Sequence, residues 1–303
     1  MSVRIGNTPV SFGVRRRPDP DWQSLSDDVF DAISSAGYRG SELGPPQFLG
    51  TAEETAERIA SHALTTIGAY APVHFAADDE LVADDLAGVE QSCRELAACG
   101  GGLLVMADQG SETLLAHPAR SDRNLALDAA GWRRLAERVQ RVVELAEQYE
   151  LGLTFHPHIS TFVESPWEIE RLLQLSSVNL TIDSGHLRLA GADPVACLKA
   201  WRARVDHVHL KDVRVQVLAD AKVQGFRDFD DWWGGVCVPF GDGDVDLTGV
   251  LAELAHGGYD GWIVIEQDRA PLASPDDLAA AAAEQRGNLE WLTDQLAVRG
   301  GPT

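Results

Sequence analysis

Short apolar runs alternate along the whole chain with stretches in which apolar residues recur three or four positions apart. Eight of the runs have strand character, and the three clearest are Leu151–Phe155, Val178–Ile182 and Val205–Leu210. Helical spacing fills the gaps, as in Pro166–Leu175, because a helix brings positions three and four apart onto one face. Regular alternation of eight strands with helices predicts an α/β fold, a single-domain (β/α)₈ TIM barrel.

The other predicted elements keep this order from one end of the chain to the other. The further strands are Val3–Gly6, Tyr38–Leu43, Leu64–Ala69, Leu103–Met106 and Gly261–Ile265, and the further helices are Trp22–Ala36, Thr51–Ala63, Asp78–Ala98, 127–149, 193–203, Asp246–His256 and 274–297. No linker or shift of composition divides the chain, so residues 1–303 are predicted to form one domain. An open doubly wound sheet is the alternative, but it predicts a glycine fingerprint after an early strand, which this sequence lacks.

The segment Val213–Asp244 has no clear period and is rich in glycine. Long segments of this kind inside a compact domain are usually functional or mobile, so we expect an insertion that covers the active site as a lid. Within it, Trp232 and Trp233 predict an apolar wall over a bound sugar ring, with Trp232 as a substrate-binding residue. A contact between subunits of a homo-oligomer would use the same two side chains.

Histidine and acidic residues follow the apolar runs at the points where the strands stop. His156 and His158 follow one strand, Asp183 ends the next, His209 lies near the end of a third, and Glu266 ends the last. The carboxyl ends of all eight strands meet on one face of such a barrel, and that face carries the active site. The sequence therefore predicts that these side chains converge.

Carboxylates and imidazoles together favour a divalent metal. Asp183, His209 and Glu266 would form a mixed oxygen and nitrogen site for Mn²⁺, Co²⁺, Mg²⁺ or Zn²⁺. An aspartate at a strand end can instead cap the helix that follows, so Asp183 alone does not distinguish the two roles.

Three motifs carry a resemblance to a known family. DSGH at Asp183–His186, HVHLKD at His207–Asp212 and VIEQD at Val264–Asp268 resemble the xylose-isomerase-like barrels, the superfamily of sugar isomerases and epimerases. Within it, HPH at His156–His158 followed by Ser-Thr, and the run GYDGWIVIEQD, are most similar to the inosose (2-keto-myo-inositol) dehydratases. The resemblance is strong from about Leu151 to Asp268 and weaker towards the N-terminus.

The resemblance implies four metal ligands at strand ends, in the order Glu, Asp, His and Glu. Asp183, His209 and Glu266 match the last three positions, whereas His156 stands where the first glutamate belongs. Glu164, a few residues further on, is the alternative fourth ligand. The isomerases of the family move a proton between two glutamates, so this departure disfavours symmetric two-carboxylate chemistry.

The implied reaction is the metal-dependent dehydration of a cyclic keto-polyol, 2-keto-myo-inositol to a trihydroxycyclohexane dione, in inositol catabolism with Mn²⁺ or Co²⁺ favoured. His156 or His158 would remove the proton next to the carbonyl, His186 or Glu42 would protonate the departing hydroxyl, and Lys211 would add positive charge. Glu42 and His74, at or just after strand ends, are candidate substrate-binding residues. The competing interpretations are a Glu42 pair with Arg39 or Arg4, a Lys211 pair with Asp212, and a supporting role for His186 beside the metal.

Other functions remain open from the sequence alone. An epimerase or aldose–ketose isomerase would use the same metal and the same proton abstraction but return the proton to carbon. Elimination from a 3-keto-glycoside is a related lyase reaction, and a barrel that binds a polyol without turnover is an alternative of another class.

Composition narrows the possible partners. The net charge is −22, so we expect no binding to nucleic acid or to anionic membranes, both of which need basic residues. The four cysteines form no zinc-binding spacing, which favours reduced thiols. The chain shows neither a signal peptide nor an apolar run of the roughly 20 residues that a membrane span needs, so a soluble cytoplasmic protein is expected.

Overall fold

The computed structural model describes residues 3–14, 22–120, 123–226, 230–272 and 274–299. Its strands are β1 (Arg4–Asn7), β2 (Gly40–Leu43), β3 (Thr65–Val73), β4 (Leu103–Asp108), β5 (Gly152–Phe155), β6 (Asn179–Asp183), β7 (Val205–Leu210), β8 (Asp212–Val213), β9 (Cys237–Val238) and β10 (Trp262–Ile265). Strands β1 to β7 pair in parallel with their neighbours, and β10 closes the ring between β7 and β1. The predicted eight-stranded barrel is therefore confirmed.

Helices alternate with these strands around the ring. They are α1 (Trp22–Ala36), α2 (Ala52–Ser61), α3 (Asp79–Ala98), α4 (Glu112–Leu115), α5 (Ala129–Gln148), α6 (Pro166–Leu175), α7 (Ser184–Leu189), α8 (Pro194–Trp201), α9 (Val215–Gln224), α10 (Asp230–Val236), α11 (Leu247–His256) and α12 (Pro275–Arg299). In the described part of the chain, no helix combines the length and apolar character needed to cross a bilayer.

Local sequence signals explain where several helices begin. The backbone N–H of Glu54 donates to Thr51 Oγ1 at 3.2 Å, and Thr51 N–H donates to Glu54 Oε2 at 2.7 Å. This capping box satisfies N–H groups that the first turn of α2 leaves unpaired. Asp78 and Asp128 cap α3 and α5 through their side chains in the same way.

The register between strands decides which side chains meet at the barrel rim. Asp183 lies opposite His209 across β6 and β7, and Val264 of β10 lies opposite His209 on the other side. Glu266 follows β10 directly, two residues beyond the partner of His209, and its Oε2 lies 2.9 Å from His209 Nδ1. Parallel strands in this register bring His209 into contact with Glu266, which lies more than 50 positions further along the chain.

The predicted lid segment Val213–Asp244 contains more regular structure than its sequence pattern suggests. Helices α9 and α10 occupy much of it, and β8 pairs with β9 in a two-stranded antiparallel sheet. Its residues 227–229 lie outside the described part of the chain. Both helices are short, with ten and seven residues, and their periodicity is correspondingly hard to detect in sequence.

Candidate active site

A buried cluster of charged and imidazole side chains lies at the carboxyl ends of the strands. One oxygen of Asp183 is its centre. Asp183 Oδ2 lies 3.2 Å from Lys211 Nζ, and the side-chain nitrogens of three histidines surround it: His156 Nε2 at 3.6 Å, His186 Nε2 at 3.9 Å and His209 Nδ1 at 4.0 Å. None of the four contacts with described residues has hydrogen-bonding geometry. The other oxygen, Oδ1, accepts the backbone N–H of His186 at 2.9 Å and caps α7, so the capping role that the sequence allowed is present, while Oδ2 faces the cluster.

The imidazole of His209 lies between two carboxylates. Its Nε2 is 2.8 Å from Glu42 Oε1, while its Nδ1 is 2.9 Å from Glu266 Oε2. His207 Nε2 reaches the same Glu42 oxygen at 2.9 Å. Glu42 thus pairs with two histidines, rather than with Arg39 or Arg4. These two contacts compensate the charge of a carboxylate that is buried inside the barrel.

Lys211 is fully buried among three carboxylates. Its ammonium lies 2.5 Å from Glu266 Oε1 and 2.6 Å from Asp268 Oδ2, in addition to its contact with Asp183. The expected alternative, a pair with Asp212, is wrong. Asp212 instead accepts backbone N–H groups from Gly241 and Gly243 and holds that loop in place.

The DSGH motif places the Lys211 side chain. Ser184 Oγ donates to the Lys211 carbonyl at 2.8 Å and accepts the Lys211 backbone N–H at 2.9 Å. The aliphatic stem of Lys211 passes so close to Gly185 that a β-carbon there would lie 2.7 Å from Lys211 Cγ. The serine fixes the backbone of Lys211, and the glycine leaves room for its side chain.

Mutual electrostatics set the charges in this cluster. Burial alone would raise the pKa of Glu42, but His209 and His207 lower it to about 2. Burial also opposes ionisation of Asp183, yet Lys211 and His186 hold the pKa of that carboxyl well below its usual range. Lys211 itself is desolvated, but Asp183 and Asp268 raise its pKa well above the ordinary value. Glu42 and Asp183 are therefore ionised and Lys211 is protonated at neutral pH.

His158 and His186 form a second layer above Asp183, with ring centroids 3.9 Å apart. His158 Nδ1 is 2.8 Å from the Ile159 carbonyl, which can only accept, so this nitrogen carries the proton and Nε2 carries the lone pair. The backbone N–H of Ile159 donates to His186 Nδ1 at 3.3 Å, and the Lys211 ammonium approaches His186 Nε2 at 3.3 Å, so a donor faces each nitrogen of this ring. Burial, followed by the neighbouring His156, lowers the pKa of His158 to about 3, so its neutral form prevails at pH 7.

The cluster has an aromatic cover that belongs to α10. The Trp233 ring stacks on His186, and Lys211 Nζ lies 5.4 Å from the ring centroid. A hydrogen bond from Trp233 also lowers the pKa of Asp268, although burial raises that pKa overall. Trp232, which the sequence suggested as the wall over the substrate, packs on Trp233 and Phe226 instead.

Two other expected residues have contacts outside the cluster. His74 donates its backbone N–H to Asp85 Oδ2 at 2.7 Å, and its Nδ1 lies 2.9 Å from the same oxygen. Glu164 accepts backbone N–H groups from Ser160 and Arg120 at 2.7 and 2.9 Å. These bonds engage both oxygens of Glu164 and tie two loops together, whereas His156 faces Asp183.

Two residues of the rim were missed by sequence reasoning as candidates. Asp268 contacts Lys211 directly, and Tyr70 of β3 meets the His156 ring edge-on with centroids 6.1 Å apart. Burial and the charges of Glu266 and Asp268 raise the pKa of the Tyr70 phenol, so it stays protonated. The sequence did carry a signal for Asp268. Side chains two positions apart on an extended chain point to the same face, so Asp268 is expected on the same side as Glu266.

Gln267 lies between these two acidic residues and points the other way, into α12. Its Oε1 accepts N–H groups from Gln285 and Asn288 at 2.9 and 3.0 Å. Asn288 Oδ1 in turn accepts the backbone N–H of Phe240 at 2.9 Å. This chain of buried amides anchors the strand end that carries Glu266 and Asp268.

The residues fit a divalent cation. Lys211 faces three buried carboxylates, those of Asp183, Glu266 and Asp268, and His209 lies between Glu266 and a fourth, Glu42. Buried His156 Nδ1 and Asp183 Oδ2 lack a hydrogen-bond partner in the described residues. Ligand atoms of His156, Asp183 and His209 lie within 4.8 Å of one another, as do those of Asp183, His186 and Glu266. Unpaired buried charge of this sign is unfavourable unless a cation compensates it.

Comparisons with known proteins agree with this architecture. An inosose dehydratase of Bacillus thuringiensis (strain Al Hakam) is 26% identical over 295 residues, covering 93% of this chain and 96% of that protein. Solved structures of an L-ribulose 3-epimerase and of an IOLI protein with a binding zinc atom share the fold, with TM-scores of 0.69 and 0.71 at 16% and 14% identity. The match to the epimerase covers 98% of this chain and 95% of the epimerase chain. The match to the IOLI protein covers 99% of this chain and 100% of the IOLI chain. A family model described as xylose isomerase-like TIM barrel matches residues 30–295, most of the chain, and the protein belongs to that family.

Proposed function

We propose that this protein is a metal-dependent lyase that removes water from a cyclic keto-polyol, with 2-keto-myo-inositol as the substrate. The observation that carries the proposal is the environment of Asp183 Oδ2, which combines imidazole nitrogens, neighbouring carboxylates and one ammonium in a buried centre. Similarity to an inosose dehydratase over nearly its whole length supports the choice of substrate.

Asp183, His209, Glu266 and His156 are the proposed metal ligands. Glu164 is the weaker candidate for the fourth position, because backbone N–H groups occupy both of its oxygens. Two carboxylates with two imidazoles suit Mn²⁺ or Co²⁺, while Zn²⁺ and Mg²⁺ are compatible to a lesser degree. A divalent cation held there supplies Lewis acidity, which polarises a carbonyl and makes the adjacent C–H bond more acidic.

His158 is the better placed of the two candidate bases. Its bond to the Ile159 carbonyl puts the ring proton on Nδ1, so Nε2 is the nitrogen that accepts a proton from the substrate. His156 lies beside Asp183 and is assigned to the metal. Two imidazoles with separate tasks replace the glutamate pair of a symmetric isomerase, and this asymmetry favours elimination.

The departing hydroxyl needs a hydrogen-bond donor near the centre. His186 Nε2 lies 3.9 Å from Asp183 Oδ2, and the Lys211 ammonium, 3.3 Å from that nitrogen, is the charged donor beside it. Lys211 stabilises negative charge that develops on a substrate oxygen in this buried site, where a charge acts more strongly than in water. Glu42 cannot be the acid, because its pKa of about 2 keeps it ionised at neutral pH.

Dehydration can be tested directly against epimerisation. Protein freed of metal with a chelator and then supplied with Mn²⁺ or Co²⁺ should convert 2-keto-myo-inositol to a diketone that absorbs in the ultraviolet. Free ketohexoses should react poorly. The reaction in D₂O distinguishes the outcomes: deuterium in an epimerised ketose without diketone from the inosose would replace the lyase by an epimerase.

Two variants connect the reaction to the site. His158→Gln should lower kcat by at least about 100-fold, the usual contribution of a positioned general base. Glu95→Gln is the matched control, since Glu95 is also buried but bonds Gln47 and Gln91 around α3. Binding of 2-keto-myo-inositol without turnover, under any of the metals, would indicate a polyol-binding barrel instead.

A further inference from the structure

The geometry points to Glu42 and His207 as positioning residues that fix the tautomer and the ring orientation of His209, so that Nδ1 presents its lone pair to a metal. This inference rests on the proposed function, because it concerns the same metal centre. It assigns Glu42 a different task from substrate binding.

Hydrogen-bond chemistry determines the assignment. A carboxylate oxygen accepts hydrogen bonds, so the two imidazole nitrogens that approach Glu42 Oε1 both donate to it. His209 therefore carries a proton on Nε2, 2.8 Å from Glu42, and the nitrogen left for a metal is Nδ1. That nitrogen faces Asp183 and Glu266, the other proposed ligands. Metal-binding histidines generally donate their second N–H to a carboxylate in this way, and loss of that carboxylate weakens metal binding.

His207 restrains the carboxylate itself. Its Nε2 donates to the same Glu42 oxygen at 2.9 Å, and all three side chains are 2% exposed. The ring of His207 meets that of His209 edge-on, with centroids 5.2 Å apart. Two donors from adjacent inward positions of β7 thus hold one oxygen from β2 across the barrel, and neither partner can rotate without breaking a buried bond.

The test is Co²⁺ binding in the absence of substrate. Affinity for Co²⁺ is measured by competition with a chromogenic chelator, and the coordination of bound Co²⁺ is followed by its visible spectrum. Four proteins are compared: wild type, Glu42→Gln, Glu42→Asp and the control Glu95→Gln. Glu42→Gln can turn an N–H donor towards His209 Nε2, which moves the ring proton to Nδ1 and blocks it. We expect the affinity of this variant to fall by about 10- to 100-fold, with Glu95→Gln unchanged.

Glu42→Asp separates positioning from charge, because it keeps the negative charge but is one methylene too short to reach Nε2. A comparable loss of Co²⁺ affinity in Glu42→Asp supports the positioning role of Glu42. This variant also provides the test if Glu42→Gln does not fold. Wild-type affinity and an unchanged Co²⁺ spectrum in folded Glu42→Gln or Glu42→Asp would overturn the inference. If a substrate-binding role is correct, KM for the keto-polyol should rise while Co²⁺ affinity stays constant. Failure of the wild type to bind Co²⁺ would instead reject the proposed function together with this inference.

Discussion

The indole of Trp233 lies nearly parallel to the imidazole of His186, with ring centroids 5.2 Å apart and an angle of 15° between the planes. The two residues belong to different parts of the molecule, one to the segment after β8 and the other to the first helix after β6. Trp233 is 2% exposed, so the contact closes the cluster on that side. We therefore expect Trp233, rather than Trp232, to be the aromatic side chain that a substrate meets.

Trp233→Leu should therefore reduce kcat over KM by at least about tenfold, because it removes the surface that excludes water and orients His186. Filling the space with leucine should limit the loss of stability to about 1–3 kcal/mol, less than a truncation to alanine. Trp132→Leu, at a buried tryptophan of α5, is the control for stability alone. Equal losses of activity in the two variants, at equal losses of stability, would make Trp233 a structural element only.

Metal binding should depend on pH through His209. Burial opposes its charge, but Glu42 and Glu266 raise the pKa of His209 well above the ordinary value. A metal needs the lone pair on Nδ1, so binding must displace a proton from the imidazolium. We expect Co²⁺ affinity to increase from pH ~6 to pH ~8, by up to about tenfold per unit for one displaced proton. Affinity that stays flat across this range would contradict the assignment of His209 as a ligand.

Asp108, at the end of β4, should make stability fall as pH rises. Burial raises its pKa from 3.8 to about 6, although the N–H groups of Phe162 and Gly110 lower it. A raised pKa means that the folded protein binds the proton more tightly than the unfolded chain. This contribution is fully present below the unfolded pKa and is lost as pH rises through the folded value.

Asp108→Asn should accordingly be more stable than wild type at pH 7, by roughly 1–3 kcal/mol. The difference should shrink as pH falls towards 4, since protonated aspartic acid and asparagine are both neutral. Urea unfolding at several pH values provides the measurement, and Asp128→Asn, at an exposed helix cap, provides a comparison. A stability difference for Asp108→Asn that does not change with pH would contradict the buried-carboxylate explanation.

Gly185→Ala should displace the Lys211 side chain. The new β-carbon would lie 2.7 Å from Lys211 Cγ and 2.9 Å from Val213 Cγ1, so the packing must shift. We expect a loss of about 1–3 kcal/mol in stability and at least a tenfold loss of activity, because the ammonium moves away from Asp183. Gly287→Ala in α12 meets nothing within 4 Å and should be neutral or stabilising by about 0.5–1 kcal/mol. Full activity in Gly185→Ala would show that the position of Lys211 is not critical.

Much of the fold was predictable because its signals are local. Alternating strand and helix patterns identify the barrel, and Thr51 with Glu54 marks a helix start from four consecutive residues. The helices α9 and α10 escaped prediction for the opposite reason. They are short, and the contacts that hold them, such as Trp233 on His186, lie outside the segment.

Part of the candidate site was also predictable from local sequence signals, and part was not. Sequence alone determined which residues stand at strand ends, because a parallel barrel brings its carboxyl ends to one rim. Asp183, His209 and Glu266 could be grouped on that basis. The resemblance to the family also led us to expect a glutamate at the end of β5, where this sequence has His156.

Only the tertiary structure decided the partners. Glu42 meets His207 and His209 from the opposite wall of the barrel, and Lys211 turns to Asp268 rather than to the adjacent Asp212. Such choices depend on strand register, on side-chain direction and on the relief of buried charge. These are distances of a few ångströms between residues far apart in sequence, and no pattern along the chain encodes them.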